Sequence, residues 1–169
     1  ENYNGQLTNQ TGIHGFWESR VPELLAEKEF DFFIGKAAYI QNPGDFIWKR
    51  ILESAKAADT VLSIERELTL KFPDDKKYAF ENRNGKTIRQ YSSAFTIAYN
   101  NKLGGMIERR MRQSIFAIAS FWYTAWVNGG QPDLKELANQ KFSEADLKEF
   151  AQLNVQWSSG TKIIGREEQ

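Results

Sequence analysis

The chain has no cysteine, a single histidine and no net charge, and each scarcity removes a class of chemistry. Without cysteine there can be no disulfide, no thiolate metal site and no cysteine nucleophile, although the compartment stays open. Lys plus Arg equals Asp plus Glu, 22 against 22, so no long-range field favours nucleic acid or an anionic membrane. No run of about 18 apolar residues occurs, so no segment reads as membrane-spanning. One histidine leaves a Ser–His–Asp triad without recognisable partners. Any metal chemistry must begin at His14.

What is present argues for a packed body. Of 169 residues, 41% are hydrophobic, with twelve Phe, six Tyr and five Trp. That is enough chain for one domain with a substantial core. We expect a single helical domain over residues 1–155 and a frayed tail over 156–169, with no internal repeat and no linker. The first residues carry neither an initiator Met nor the basic-then-apolar pattern of a signal peptide, so the chain reads as processed or truncated.

Residues 1–13 are polar and glycine-containing, and read as a loop feeding a helix that starts near Thr11 or Gly12. Pro22 cannot donate to the Glu18 carbonyl, so that helix should kink or restart there. Phe30 to Ile34 is open between a helical turn and an irregular buried piece. Asn42-Pro43-Gly44-Asp45 signals a helix start with Asp45 as N-cap, and apolar residues then recur at helical spacing from Ile47 to Leu62. Pro73 ends that pattern. Residues 72–87 are charged, contain Asn84-Gly85, and read as a surface loop or a two-stranded hairpin. From Phe95 to Trp126 apolar residues recur every three to four positions, interrupted at Gly104-Gly105 by a kink or a close helix approach. Past Gln113 the pattern is apolar nearly all round, which predicts a helix buried at the centre of a bundle. Ser143 with Asp146 is a capping-box variant that opens a last short helix. The expected architecture is all-α, a multi-helix bundle around a long buried helix.

His14 and Glu18 stand four residues apart, so on a helix they share a face. That spacing suits two ligands gripping one metal ion, and equally a plain hydrogen-bonded pair. Catalytic zinc takes three protein groups plus water, and the rest of the chain offers only carboxylates and carbonyls at no telling spacing. Arg109, Arg110 and Arg112 fan over most of a helical turn and cannot all meet one phosphate. Glu108 and Arg112 form an i,i+4 pair, so a solvated face is the plainer reading and direct nucleic-acid binding is disfavoured. The Phe121-Trp122-Tyr123 and Trp126 run reads as core before it reads as a base-stacking platform.

Two segments, Glu1 to Glu18 and Ala119 to Asp133, together resemble the zinc-dependent phospholipase C and single-strand-specific nuclease superfamily, in particular its Bacteroidetes-type phospholipase C-like branch. In that family a Gly-x-His-x-x-x-Glu element opens a helix, and its His and carboxylate bind zinc. Gly12, His14 and Glu18 stand at the matching places, and Glu in place of Asp sides with the phospholipase branch. The resemblance implies that His14 and Glu18 are metal ligands for zinc in a phosphodiester hydrolase acting on phospholipid or nucleic acid. It implies export to the periplasm or beyond. The family's other ligands, an N-terminal Trp and several Asp and His, are absent here, so the chain resembles the C-terminal half of such an enzyme and its implied partner is a missing N-terminal half. Alone it should bind zinc weakly or not at all. The alternative is a catalytically silent helical scaffold or binding domain.

Overall fold

In the computed structural model the described residues are 4–135 and 141–159, with side chains described up to Val155. The chain divides into two compact units, Glu1–Gly129 and Gly130–Gln169, and each is described by itself. In chain order the elements are α1 (Ile13–Gly15), a π-helical segment (Phe16–Arg20), α2 (Val21–Glu29), α3 (Pro43–Thr69), α4 (Asp74–Lys77), β1 (Tyr78–Arg83), β2 (Lys86–Tyr91), α5 (Ser93–Lys102), α6 (Met106–Asn128) and α7 (Glu144–Ser159).

The protein is predominantly helical with a small two-stranded antiparallel sheet, which corrects the all-α expectation. The hairpin pairs Tyr78 with Tyr91 and Arg83 with Lys86, leaving Asn84-Gly85 as a two-residue turn with both φ angles positive, 51° and 77°. This is the turn whose twist matches that of paired strands, and Asn-Gly is its preferred pair.

Helix boundaries follow local chemistry. Asn42, not Asp45, caps α3: its side chain accepts from the Asp45 amide at 3.2 Å, and Pro43 takes the first helical position, where a missing N–H costs nothing. The glycine pair ends α5 and starts α6 as separate helices, because Gly104 and Gly105 both adopt positive φ, 57° and 73°. Ahead of Pro22 the helix widens for one π-turn, with the Val21 amide bonded to the Phe16 carbonyl. The proline is thus accommodated at the start of α2 without breaking the run.

The core of the first unit is aromatic. Phe16 stacks on Tyr91 at 3.9 Å between ring centroids and meets Tyr99 at 4.8 Å, while Phe72 packs edge-on against Phe95 at 5.2 Å. Leu25, Leu68 and Ile107 close the cluster. Through its middle runs a buried polar chain: Lys77 Nζ donates to Glu65 Oε1 at 2.8 Å, and Gln10 Nε2 donates to Glu65 Oε2 at 2.6 Å.

This core lies at the C-terminal half of α3 and the N-terminal half of α6, and the other halves run past it. Trp122 is 77% exposed and Ile118 59%, so the expected long buried central helix is corrected: its apolar half faces outward. The buried side of that half is instead polar. Ser120 Oγ accepts from the Ala38 amide at 3.1 Å and Thr124 Oγ1 from the Ile40 amide at 2.8 Å, because the segment after α2 runs extended alongside α6. Arg112 fastens the start of that segment, to Asp31 Oδ2 at 3.0 Å and to the Phe33 carbonyl at 3.1 Å.

In the second unit Ser143 caps α7 as expected, its Oγ accepting from the Asp146 amide at 3.2 Å while the Ser143 amide donates to Asp146 Oδ2 at 2.9 Å. Phe142 meets Phe150 edge-on at 5.2 Å. The helix continues to Ser159, into the segment expected to fray, and residues 160–169 lie outside the described residues. No helix among the described residues is long and apolar enough to cross a membrane.

Candidate functional site

The loop before α1 is built to place His14. Gly5 turns the chain at φ +81°, and the Gln10 amide donates to the Gly5 carbonyl at 2.9 Å. A Cβ at Gly5 would meet the Gln10 carbonyl oxygen at 2.0 Å, so only glycine fits. Asn4 Oδ1 accepts from the Gly12 amide at 3.1 Å and from the His14 amide at 3.3 Å, satisfying donors that a helix start leaves open. Gln10 then ties the loop to α3 through the Leu62 carbonyl at 2.8 Å.

From that start His14 and Glu18 do share a face. His14 Nε2 lies 3.0 Å from Glu18 Oε2. The two are close enough for an ion pair when the imidazole is protonated, and Nε2 is buried with no hydrogen-bond partner. Imidazole nitrogen and carboxylate oxygen are zinc donor types, and two tetrahedral ligands at zinc bond lengths stand about 3.4 Å apart. The pair therefore fits part of a zinc shell. It does not fit a whole one: among the described residues no three His, Cys, Asp or Glu gather within reach of one ion.

Beside the pair opens a cleft of about 890 Å³ whose long walls are α3 and α6. Phe46 meets Phe121 at 5.7 Å and Glu53 meets Arg110 at 3.1 Å, so the two helices run antiparallel. Trp17 lines the cleft near His14, and Arg50 and Arg110 line it along the walls. Both arginines pair with one carboxylate, Arg50 with Glu53 Oε1 at 2.5 Å and Arg110 with Glu53 Oε2.

The arginine cluster is dispersed. Arg109 donates to the Gly104 carbonyl at 2.5 Å, Arg110 turns to Glu53 and Gln113, and Arg112 turns to Asp31. The expected Glu108–Arg112 pairing is replaced, because Glu108 accepts from the Asp31 amide at 3.0 Å. Buried phenols do not add a base: desolvation pushes the hydroxyls of Tyr91 and Tyr99 far above the ordinary tyrosine range. Tyr99 instead donates to the Val61 carbonyl at 3.1 Å.

Spacing in the sequence pointed to His14 and Glu18 but not to Asn4, Trp17, Arg50 or Glu53. Asn4 carried a faint signal as a cap-type residue near a glycine; the others come from two separate helical segments, Trp17 from the π-turn and Arg50 and Glu53 from α3, and carried none. No protein-family model matches the chain, and no curated protein or solved structure matches it.

Proposed function

We infer that this chain is the helical portion of a zinc-dependent phosphodiester hydrolase, phospholipase C-like or nuclease-like, to which His14 and Glu18 contribute two metal ligands. The observation that carries the reading is the buried His14 Nε2, 3.0 Å from Glu18 Oε2 without a hydrogen bond, at the edge of a ligand-sized cleft. The resemblance in the two quoted segments supports it. Zinc held there would supply acidified water and stabilise charge at phosphorus.

What the chain's own residues do is present and hold. The helical register sets imidazole and carboxylate side by side, and Asn4 fixes the turn that carries His14. The remaining donors come from outside the described residues. On this reading the protein is exported, and its fold is part of a phospholipase C/nuclease-type helical bundle.

Zinc titration of the 15N-labelled chain tests the proposal. The His14 imidazole signals should shift at high micromolar to millimolar zinc, with the effect lost in Glu18→Gln. Zinc retained at one equivalent after dialysis would overturn the two-ligand assignment, and an unmoved His14 at millimolar zinc would overturn the metal role.

A second reading, a silent helical scaffold or binding domain, draws on the outward-facing Trp48, Ile118 and Trp122. It predicts partner capture that His14→Ala leaves untouched.

A further inference from the structure

Five buried side-chain polar atoms among the described residues have no hydrogen-bond partner, and three of them belong to residues of one cleft: His14 Nε2, Trp17 Nε1 and Arg50 Nε. Buried polar groups in native proteins are nearly always satisfied, so the clustering asks for an absent partner. Indole Nε1 and guanidinium Nε carry hydrogens and no usable lone pair, so that partner must be an acceptor.

Charge narrows the acceptor. Two cations, Arg50 and Arg110, face two carboxylates, Glu53 bridging them and Glu18 on the wall by His14. The donors are unmatched while the charge is balanced. A carbonyl or a single carboxyl suits this better than a doubly charged phosphate.

Shape narrows the rest. The floor is made of small residues, Ser54, Ala57 and Ala58 on α3 and Ser114 and Ala117 on α6, with Ile51 and Ile118 exposed at its rim. Along α6 the lining runs from Met106 to Phe121, about 22 Å at the helical rise. An acyl chain spans about 15 Å, half the hydrocarbon thickness of a bilayer. The groove therefore holds one extended acyl chain and a small head.

We propose that the α3–α6 groove binds a single-chain acyl ligand, a fatty acid or its neutral ester, whose carbonyl oxygen accepts from Trp17 or Arg50. Both nitrogens are shut off from solvent, so the cleft must open locally as the ligand enters. This site goes beyond the zinc reading and does not depend on it.

Equilibrium dialysis of the full chain with radiolabelled palmitate below its aggregation threshold tests the proposal, with methyl palmitate, hexadecylamine and inorganic phosphate as competitors. We expect one saturable micromolar site, competition by the ester, and little by the amine or phosphate. Trp17→Phe should weaken binding about fivefold, the worth of one hydrogen bond. Ala117→Trp, which fills the groove, should weaken it at least about tenfold, and Ser54→Phe fills it from the other helix should the first variant not fold. Absence of saturable uptake, or palmitate binding unchanged by both filling variants, would overturn the site. Uptake only in the presence of phosphatidylcholine vesicles would assign the groove to membrane docking instead. Zinc titration of His14 is a separate readout, so either proposal can fail alone.

Discussion

Lys77 Nζ lies 2.8 Å from Glu65 Oε1 with both side chains almost wholly buried, 7% and 2% exposed, inside a cluster of aromatic rings. Lys77 also sits 5.2 to 5.5 Å from the ring centroids of Tyr78, Tyr91 and Phe95. Thr69 and Gln10 complete the shell of the carboxylate. This ion pair joins α3 to the start of the hairpin and, through Gln10, to the loop that places His14.

Removing one partner should therefore cost more than the pair itself is worth. Lys77→Met leaves Glu65 buried with an uncompensated charge and should destabilise by about 3–5 kcal/mol in urea unfolding. Adding Glu65→Gln should restore part of that loss. An unchanged midpoint in the single variant would show the pair to be solvated.

The same carboxylate sets an acid limit. Burial pushes its affinity for protons up, but hydrogen bonds from Lys77, Gln10 and Thr69 outweigh it and hold the Glu65 carboxyl below the ordinary value of 4.5. A group depressed in the folded state binds more protons when unfolded, so its contribution is complete above the unfolded value. It is lost as pH falls through the folded one. Urea midpoints of the parent should fall below about pH 4.5, and those of Glu65→Gln should fall less steeply.

Arg20 anchors the hairpin to the π-turn. Its Nε donates to the Tyr91 carbonyl at 3.1 Å, and its guanidinium pairs with Glu81 on β1. Arg20→Met should cost about 1.5–3 kcal/mol, the range for hydrogen bonds to charged groups. Arg20→Lys should recover little, because an ammonium cannot make the fork-shaped contact. Hydrogen exchange should rise first at the hairpin amides.

Gly5→Ala forces a Cβ onto the Gln10 carbonyl at a positive φ. Strain alone is worth about 1–3 kcal/mol. Thermal melting should register that loss, and the His14 amide, bonded to Asn4, should shift in the NMR spectrum. A silent His14 would separate the loop from the site.

Trp122 gives the opposite forecast. Because its ring faces outward, Trp122→Gln should change stability by no more than about 0.5 kcal/mol. A buried tryptophan would cost about 3–5 kcal/mol when truncated.

Local rules read from the sequence were enough for several elements. Ser143 with Asp146 marks the start of α7 and four-residue spacing puts His14 beside Glu18, while Asn84-Gly85 marks a turn that suits a surface loop as well as the hairpin observed. All three depend on neighbours within a few residues, where backbone geometry leaves few choices. Burial was different. The apolar run from Ile115 to Val127 carries the pattern of a core helix, yet Ser120 and Thr124 are its buried residues. Only the path of residues 31–40 along α6 decided which face was covered, because extended backbone amides need side-chain acceptors that an apolar face cannot offer.

Short-range chemistry was enough for the Ser143 cap, the Asn-Gly turn and the four-residue spacing of His14 and Glu18. Tertiary structure decided the rest. It brought Glu65 to Lys77, tied Gln10 to α3, and gathered His14, Trp17 and Arg50 around one cleft from segments up to 36 residues apart. Such meetings depend on how helices cross and which surfaces they bury together, and those energies belong to no single stretch of chain.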